Sequence, residues 1–326
     1  MFYVWRKPLR PKFICIGFQK CGTTTLYELL RQHKDIILPM DVKEPMFYRC
    51  SWWREKKGKD WYEERYFGCY DEHDPRMPGE VNAGLGENPC VKGISEDFPK
   101  ETRLIFMMRN PAERTYSSYK YFLARGFLPM RYVVKDKKIG HAASFDTYVK
   151  EILGDEKKRN QIMQHRLRYL VFAGGMYATV IHEYEKHFPK EQMHFILFED
   201  FVQDEKGECR KLYDFLGLPD DPDIVYGIKS NEGNQRSSGP IWSKWNIAFT
   251  SFNYWLSEYL YVQKNHPVAF RRYHVVHDWV IDHSFQKDED HAPMLDETRK
   301  ILQDYYQNEV REVEEILGRS LQGIWY

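Results

Sequence analysis

The sequence predicts an α/β protein, a P-loop-like open parallel sheet with helices on both faces, from three observations. A run of β-prone residues at 13–17 turns on two glycines straight into a helical stretch. The run RLIFMM at 103–108 is apolar throughout, as strands buried on both faces of a parallel sheet are. A third apolar run, MHFILF at 193–198, is followed by an amphipathic helical segment.

The first of these elements sets the reading of the rest. Phe13, Ile14 and Ile16 form the strand, Gly17 and Gly22 the loop, and TTTLYELLRQH a helix with Leu26, Leu29 and Leu30 on its inner face. Such a loop directs backbone N–H groups and the positive end of a helix dipole at one point, which suits a phosphate-like anion. Against the nucleotide pattern G-x-x-x-x-G-K-[ST], the two glycines fall in place but Thr23 stands where the lysine belongs. A different lysine, Lys20, lies inside the loop. The crowding of Lys20, Gly22, Thr23, Thr24 and Thr25 favours an anion site over a glycine turn without a ligand.

DIILPM reads as a short strand that leads into DVKEPMFY. Pro45 keeps Glu44 out of helical conformation, so Glu44 sits on a loop beyond a strand end, where open α/β sheets bind ligands. By spacing alone it is equally a solvated loop glutamate. From Arg49 to Pro89 the chain reads as irregular and aromatic, with a helical turn or two at WYEERYF; Trp52, Trp53 and Trp61 either pack onto the domain or wall an acceptor cleft. RLIFMM ends at Arg109, and Asn110-Pro111 opens a helix with Glu113 in its first turn and Tyr116 inward. An ATPase strand ends here in an acid that holds magnesium. An arginine points instead to a second anion, with Ser117 about two turns on adding a hydroxyl; the structural alternative is an ion pair between Arg109 and Glu113.

The region 126–173 reads as helical and polar, with Phe145, Tyr148, Val149 and Ile152 at helical spacing. Glu199 and Asp200 read as caps of the helix after MHFILF, and CRKLYDFLGL as a short helix closed by Gly217. The aromatic stretch from Trp242 to Phe270 suits core packing or a dimer contact better than a membrane-surface helix. His274, His277, His283 and His291 lie among aspartates but match no metal-ligand spacing.

Composition excludes several classes. With 326 residues, the chain is read as one domain, 1–326, carrying an N-terminal extension at 1–11 and helical or aromatic insertions at 126–173 and 240–290. Lys plus Arg and Asp plus Glu number 48 each, so net charge does not point to nucleic acid or an anionic membrane. No run approaches the ~18–20 apolar residues of a membrane span, and the first residues lack a signal peptide's apolar segment. Six scattered cysteines fit free thiols in a reducing compartment.

GFQKCGTTTLYELL, then KEPMFY, then LIFMMRNPAERTYSSY together resemble the sulfotransferases that use 3′-phosphoadenosine 5′-phosphosulfate, and within them the carbohydrate branch of heparan and chondroitin sulfotransferases and bacterial relatives. GGMYATVIHEYEKHFPKEQMHFILFEDF and the C-terminal APMLDETRKILQDYYQNEVREVEEILGRSLQGIW are similar to later segments of the same branch. The resemblance implies that Lys20, Gly22, Thr23, Thr24 and Thr25 hold the 5′-phosphosulfate and that Arg109 and Ser117 hold the 3′-phosphate. It makes Glu44 the general base, with Lys20 stabilising the leaving phosphate, and Arg236, in NEGNQRSS, part of a basic loop closing over the nucleotide. The nucleotide is then a co-substrate, no metal is needed, and the partner is a glycan or another hydroxyl-bearing acceptor.

One departure stands out. Where the family often has Glu-Lys-Ser/Thr-Pro, this chain reads Glu80-Val81-Asn82-Ala83, so the lysine near the reacting centre is missing; Lys43 or Asn82 is a candidate for a related role. A nucleotide-binding protein without turnover therefore stays open, as does a P-loop kinase, although a kinase calls for a lysine at Thr23 and an acid at Arg109. The expected location is the cytoplasm, or the Golgi lumen if an N-terminal anchor has been removed.

Overall fold

The computed structural model describes residues 9–39, 41–45, 47–49, 51–71, 73–86, 91–124, 145–160, 171–227, 236–237, 286–287 and 293–326. By their contacts the residues gather into two compact units. The first comprises Met1–Asn110, Met176–Ser230 and Glu309–Tyr326; the second comprises Pro111–Gly175 and Asn231–Asn308.

The first unit is built on a five-stranded parallel sheet with the spatial order β2-β3-β1-β4-β5. Its strands are β1 (Phe13–Gly17), β2 (Ile36–Ile37), β3 (Met77–Val81), β4 (Arg103–Met108) and β5 (Met193–Leu197). Every residue of β1 is buried, as is β4 after Arg103, which is why both read as unbroken apolar runs. Strand β1 pairs with β3 on one side and with β4 on the other. The chain thus winds first to one side of β1 and then to the other, and the crevice at such a reversal, outside the strands' carboxyl ends, is where open sheets take ligands. The glycine loop leaves β1 at that point.

Helices flank the sheet: α1 (Thr23–Gln32), α2 (Ser51–Phe67) and α3 (Val91–Asp97) come before β4. Leu26, Leu29 and Leu30 of α1 are fully buried, the inner face read from spacing. Two expectations between Arg49 and Pro89 are corrected. The helix at WYEERYF starts ten residues earlier, at Ser51, with a break at Gly58, whose φ of 74° and ψ of 162° are not helical. MPGEV, read as loop, is the interior strand β3; Pro78 and Gly79 hide it from propensity, yet Gly79 admits the ring of Phe13, which a Cβ there would meet at 2.1 Å. Trp53 and Trp61 stack on each other at 5.7 Å, and Trp61 stacks on Phe47, so these two pack onto the domain.

The helices α4 (Pro111–Ala124), α5 (Phe145–Leu153) and α6 (Glu156–Asn160) belong to the second unit. Phe145, Tyr148, Val149 and Ile152 are buried, as their spacing predicts. Arg114, fully buried, donates to the carbonyl of Val171, and Tyr306 donates to that of Phe172. A short antiparallel ribbon pairs β6 (Arg236–Ser237) with β7 (Gln286–Lys287). In the first unit, α7 (Tyr177–Glu185), α8 (Phe198–Gln203) and α9 (Glu205–Leu216) follow, the last closed by Gly217 in the left-handed region, as read. The long helix α10 (Asp296–Leu317) starts in the second unit and ends in the first. Among the described residues no helix is long and apolar enough to cross a membrane.

Candidate functional site

The loop between β1 and α1 is bent by positive-φ residues. Gly22 has φ 92°, and a Cβ there would lie 2.8 Å from the Phe198 ring. Lys20 also has positive φ, 68°, uncommon for a residue with a Cβ. Helix α1 has no side-chain cap and no acidic residue in its first turn, so the positive end of its dipole carries no built-in counter-charge. Thr23 is buried, whereas Thr24 and Thr25 are half-exposed.

The structure brings Glu44 to this loop. Lys43 Nζ donates to Thr24 Oγ1 at 2.9 Å and lies 3.4 Å from Glu44 Oε1. Arg49 approaches the other Glu44 oxygen at 3.3 Å. All three charged side chains are partly open to solvent, at 22%, 28% and 19% exposure for Lys43, Glu44 and Arg49. Gly84 leaves the space for Arg49, since a Cβ there would fall 2.0 Å from its Nε. Lys43 is thus the lysine beside Glu44 and α1. Val81, which stands where the family's lysine was expected, is fully buried and cannot reach the loop.

Behind the loop lies a buried polar cluster of which sequence reading singled out only Asn82, as a candidate for the missing lysine's role. Glu80, fully buried on β3, accepts from the Tyr62 hydroxyl and, at 2.7 Å, from Asn82 Nδ2. Asn82 Nδ2 also donates to the Pro45 carbonyl at 2.7 Å. Desolvation pushes the Glu80 carboxyl up to about 7; the two donors oppose the rise and the charge on Glu44 adds to it. No signal in MPGEV marked Glu80, since the proline and glycine break any strand pattern.

Arg109 follows β4 with its backbone pinned. Its carbonyl accepts from the Tyr177 hydroxyl at 2.7 Å, and its guanidinium lies 4.6 Å over the ring of Phe198. Phe198 therefore stands between Gly22 and Arg109. Glu113 pairs with Arg299, so the expected alternative partner of Arg109 is engaged elsewhere. The capping expectation for Glu199 and Asp200 is corrected: no side chain caps α8. Glu199 instead accepts from the Asn110 N–H at 2.8 Å and from Trp325 Nε1 at 3.0 Å, and Asp200 pairs with Arg319. Ser117 is half-buried on α4, in the second unit. Arg236 lies in β6, and its side chain is outside the described residues, as are the four histidines and the aromatic stretch 242–270.

A groove of about 460 Å³ opens along β2 and the Glu44 loop. Tyr27 and Arg31 of α1, Lys43, and Tyr70 with Arg76 line it. Among the described residues no group of carboxylates, histidines and cysteines is arranged to hold a metal ion.

A 2-3-1-4-5 parallel sheet whose first strand feeds a glycine loop and a helix defines an α/β protein of the P-loop class, and Thr23 in place of the P-loop lysine, with the arginine after β4, sets it apart from the nucleotide triphosphatases. The chain belongs to the sulfotransferase family: the sulfotransferase domain model matches residues 10–314. It is 26% identical over 297 residues to carbohydrate sulfotransferase 15 of Mus musculus, covering 71% of this chain and 49% of that protein. It is 28% identical over 216 residues to heparan sulfate glucosamine 3-O-sulfotransferase 3B1 of the same species, covering 64% and 46%. The chain spans about half the length of these curated relatives. Its fold matches that of a sulfotransferase from Alicyclobacillus acidocaldarius, with a TM-score of 0.58, 21% identity, and coverage of 97% of this chain and 98% of that one.

Proposed function

We propose that this protein moves a sulfuryl group from 3′-phosphoadenosine 5′-phosphosulfate to a hydroxyl of a carbohydrate. The observation that carries the reading is the joining of the Glu44 loop to the first turn of α1 through Lys43 and Thr24, which sets a carboxylate beside an anion cradle. Family membership and the names of the curated relatives support sulfuryl transfer and a carbohydrate acceptor.

In this reading the loop N–H groups, Lys20, Thr24 and Thr25 hold the 5′-phosphosulfate, with Gly22 and Thr23 contributing backbone N–H groups only. Arg109 and Ser117 hold the 3′-phosphate, and Arg236 closes over it. Glu44 accepts the acceptor hydroxyl's proton as that oxygen bonds to sulfur and the bond from sulfur to the 5′-phosphate oxygen breaks. Charge then gathers on the departing phosphate, and Lys20 with the loop N–H groups stabilises it in place. Such transfer asks for in-line positioning and charge stabilisation more than for covalent work by the protein. The groove at Lys43 offers the acceptor two tyrosine rings for stacking, while its arginines, Arg31 and Arg76, are paired with Glu28 and Asp74.

Calorimetry with adenosine 3′,5′-bisphosphate in the absence of magnesium, against ATP with magnesium, tests the donor site. Tight bisphosphate binding that Arg109→Ala loses is expected, and preference for magnesium-ATP overturns the reading in favour of a kinase. Transfer of labelled sulfate to desulfated heparin and chondroitin then tests turnover; bisphosphate binding without transfer to any hydroxyl acceptor marks a binding protein.

A further inference from the structure

The buried cluster of Tyr62, Glu80 and Asn82 has no part in the chemistry just described, yet it touches the segment that carries Glu44. One amide nitrogen, Asn82 Nδ2, spends its two hydrogens on Glu80 Oε1 and on the carbonyl of Pro45, the residue after Glu44. Asn82 is itself anchored, since its backbone N–H donates to the Cys15 carbonyl at 2.9 Å, one strand away at the root of the glycine loop. The amide therefore links the floor of the anion loop to the loop that bears the carboxylate.

We propose that Glu80 is a positioning residue for Glu44: gripped by Tyr62 and Asn82, it orients the amide that clamps Pro45, and its charge sets how firmly the Glu44 loop is held against the glycine loop. The proposal rests on the reading of Glu44 as the base. A carboxylate accepts a hydrogen bond about twice as strongly as a neutral acid. When Glu80 is ionised, Asn82 is held hard and Pro45 with it; when Glu80 is protonated, the same contacts persist in weaker form. Glu80 titrates at about 7, so the change falls within the ordinary working range of pH.

The groups facing Glu80 do not blur this titration. From α2, Tyr62 has a pKa raised well above its usual value by burial and stays a hydroxyl donor, with Tyr66 behind it. From the Glu44 loop come Tyr48, whose hydroxyl is also pushed up by burial, and Glu44 with its partners Lys43 and Arg49. From β1 the residue level with Glu80 is Ile14, which carries no charge. Around pH 7, Glu80 is then the buried member of this set that changes charge.

The test is an NMR titration of the full chain labelled with ¹³C at the glutamate carboxyl carbons, with Glu44→Gln and Glu80→Gln used for assignment. In the wild type, the Glu44 signal should move a second time as Glu80 titrates, and Glu80→Gln should abolish that step. Tyr62→Phe removes a donor that favours the charged form, so it should shift the step to higher pH. In transfer to desulfated chondroitin, Gln imitates the neutral acid: wild type and Glu80→Gln should differ by no more than about twofold at pH 6, and the wild type should be about tenfold faster in kcat at pH 8, with KM unchanged. A Glu44 signal that ignores Glu80, or a Glu80→Gln profile with the wild-type pH dependence, overturns the proposal. The titration needs no nucleotide, so failure to bind the bisphosphate sinks the donor-site reading separately.

Discussion

Lys20 carries its charge on a backbone that most side chains avoid, with φ at 68°. Glycine adopts that conformation without a Cβ penalty, so Lys20→Gly should leave thermal stability intact while cutting transfer by roughly 10²–10³-fold, the loss seen when one donor to a developing oxyanion is removed. An unfolding midpoint measured beside the turnover number checks both halves. Glu80 makes a different kind of prediction. Its folded carboxyl titrates at about 7 against the ordinary 4.5 of a glutamate, so between those values the native state binds more protons than the unfolded one. Stability should therefore fall as pH rises from about 4.5 to about 7 and level off beyond, by an amount on the order of 3 kcal/mol for this group. Urea unfolding across pH should show that slope reduced in Glu80→Gln. As candidates, Lys20 and Arg109 were legible in the sequence because each sits at a motif break, an extra lysine and an arginine where an acid belongs, and Glu44 was legible only through the family resemblance. Glu80 was not, because glutamate is ordinarily exposed and its burial depends on where Tyr62 of α2 comes to rest, a contact 18 positions away in the chain.

Among elements, the turn from β1 to α1 is the least tolerant of change. Gly22 combines a positive φ with a ring and a methionine methyl, each within 3 Å of where a Cβ would stand. Gly22→Ala should cost at least the ~1–2 kcal/mol of a left-handed residue with a Cβ. The double variant Gly22→Ala with Phe198→Ala should lose less than the two separate losses added together, since the ring that clashes is gone. Denaturant midpoints of the three variants check it. Strands β1 and β4 could be read from sequence because burial on both faces leaves a continuous apolar run, and β5 because its run is apolar apart from His194. Strand β3 could not: its proline, glycine and glutamate all argue against a strand, and it is held by pairing with β1 and β2 and by the ring of Phe13 over Gly79. The full length of α2 was obscured by Gly58, which interrupts the helix in sequence and in structure alike.

At the scale of the molecule, the first unit is assembled from three separated segments, and the last of them reaches Asn110, next to Arg109. Asn110 Nδ2 donates to the Trp325 carbonyl at 2.7 Å, and Trp325 Nε1 donates to Glu199, which also receives the Asn110 N–H. Removal of residues 318–326 should leave the parallel sheet in place but release the backbone beside Arg109. Bisphosphate affinity should drop about tenfold or more, the equivalent of one good hydrogen bond to a charged group, while far-ultraviolet circular dichroism stays near that of the full chain. Sequence reading caught the tryptophan ending as a likeness but not its task, because the two partners are 215 positions apart. That separation also fixes an order of events in synthesis. The sheet, the glycine loop and Arg109 all leave the ribosome before Trp325 is made, so the support of Asn110 arrives only when Trp325 has followed them. In a nascent chain that stops short of Trp325, the backbone beside Arg109 therefore lacks this hydrogen bond.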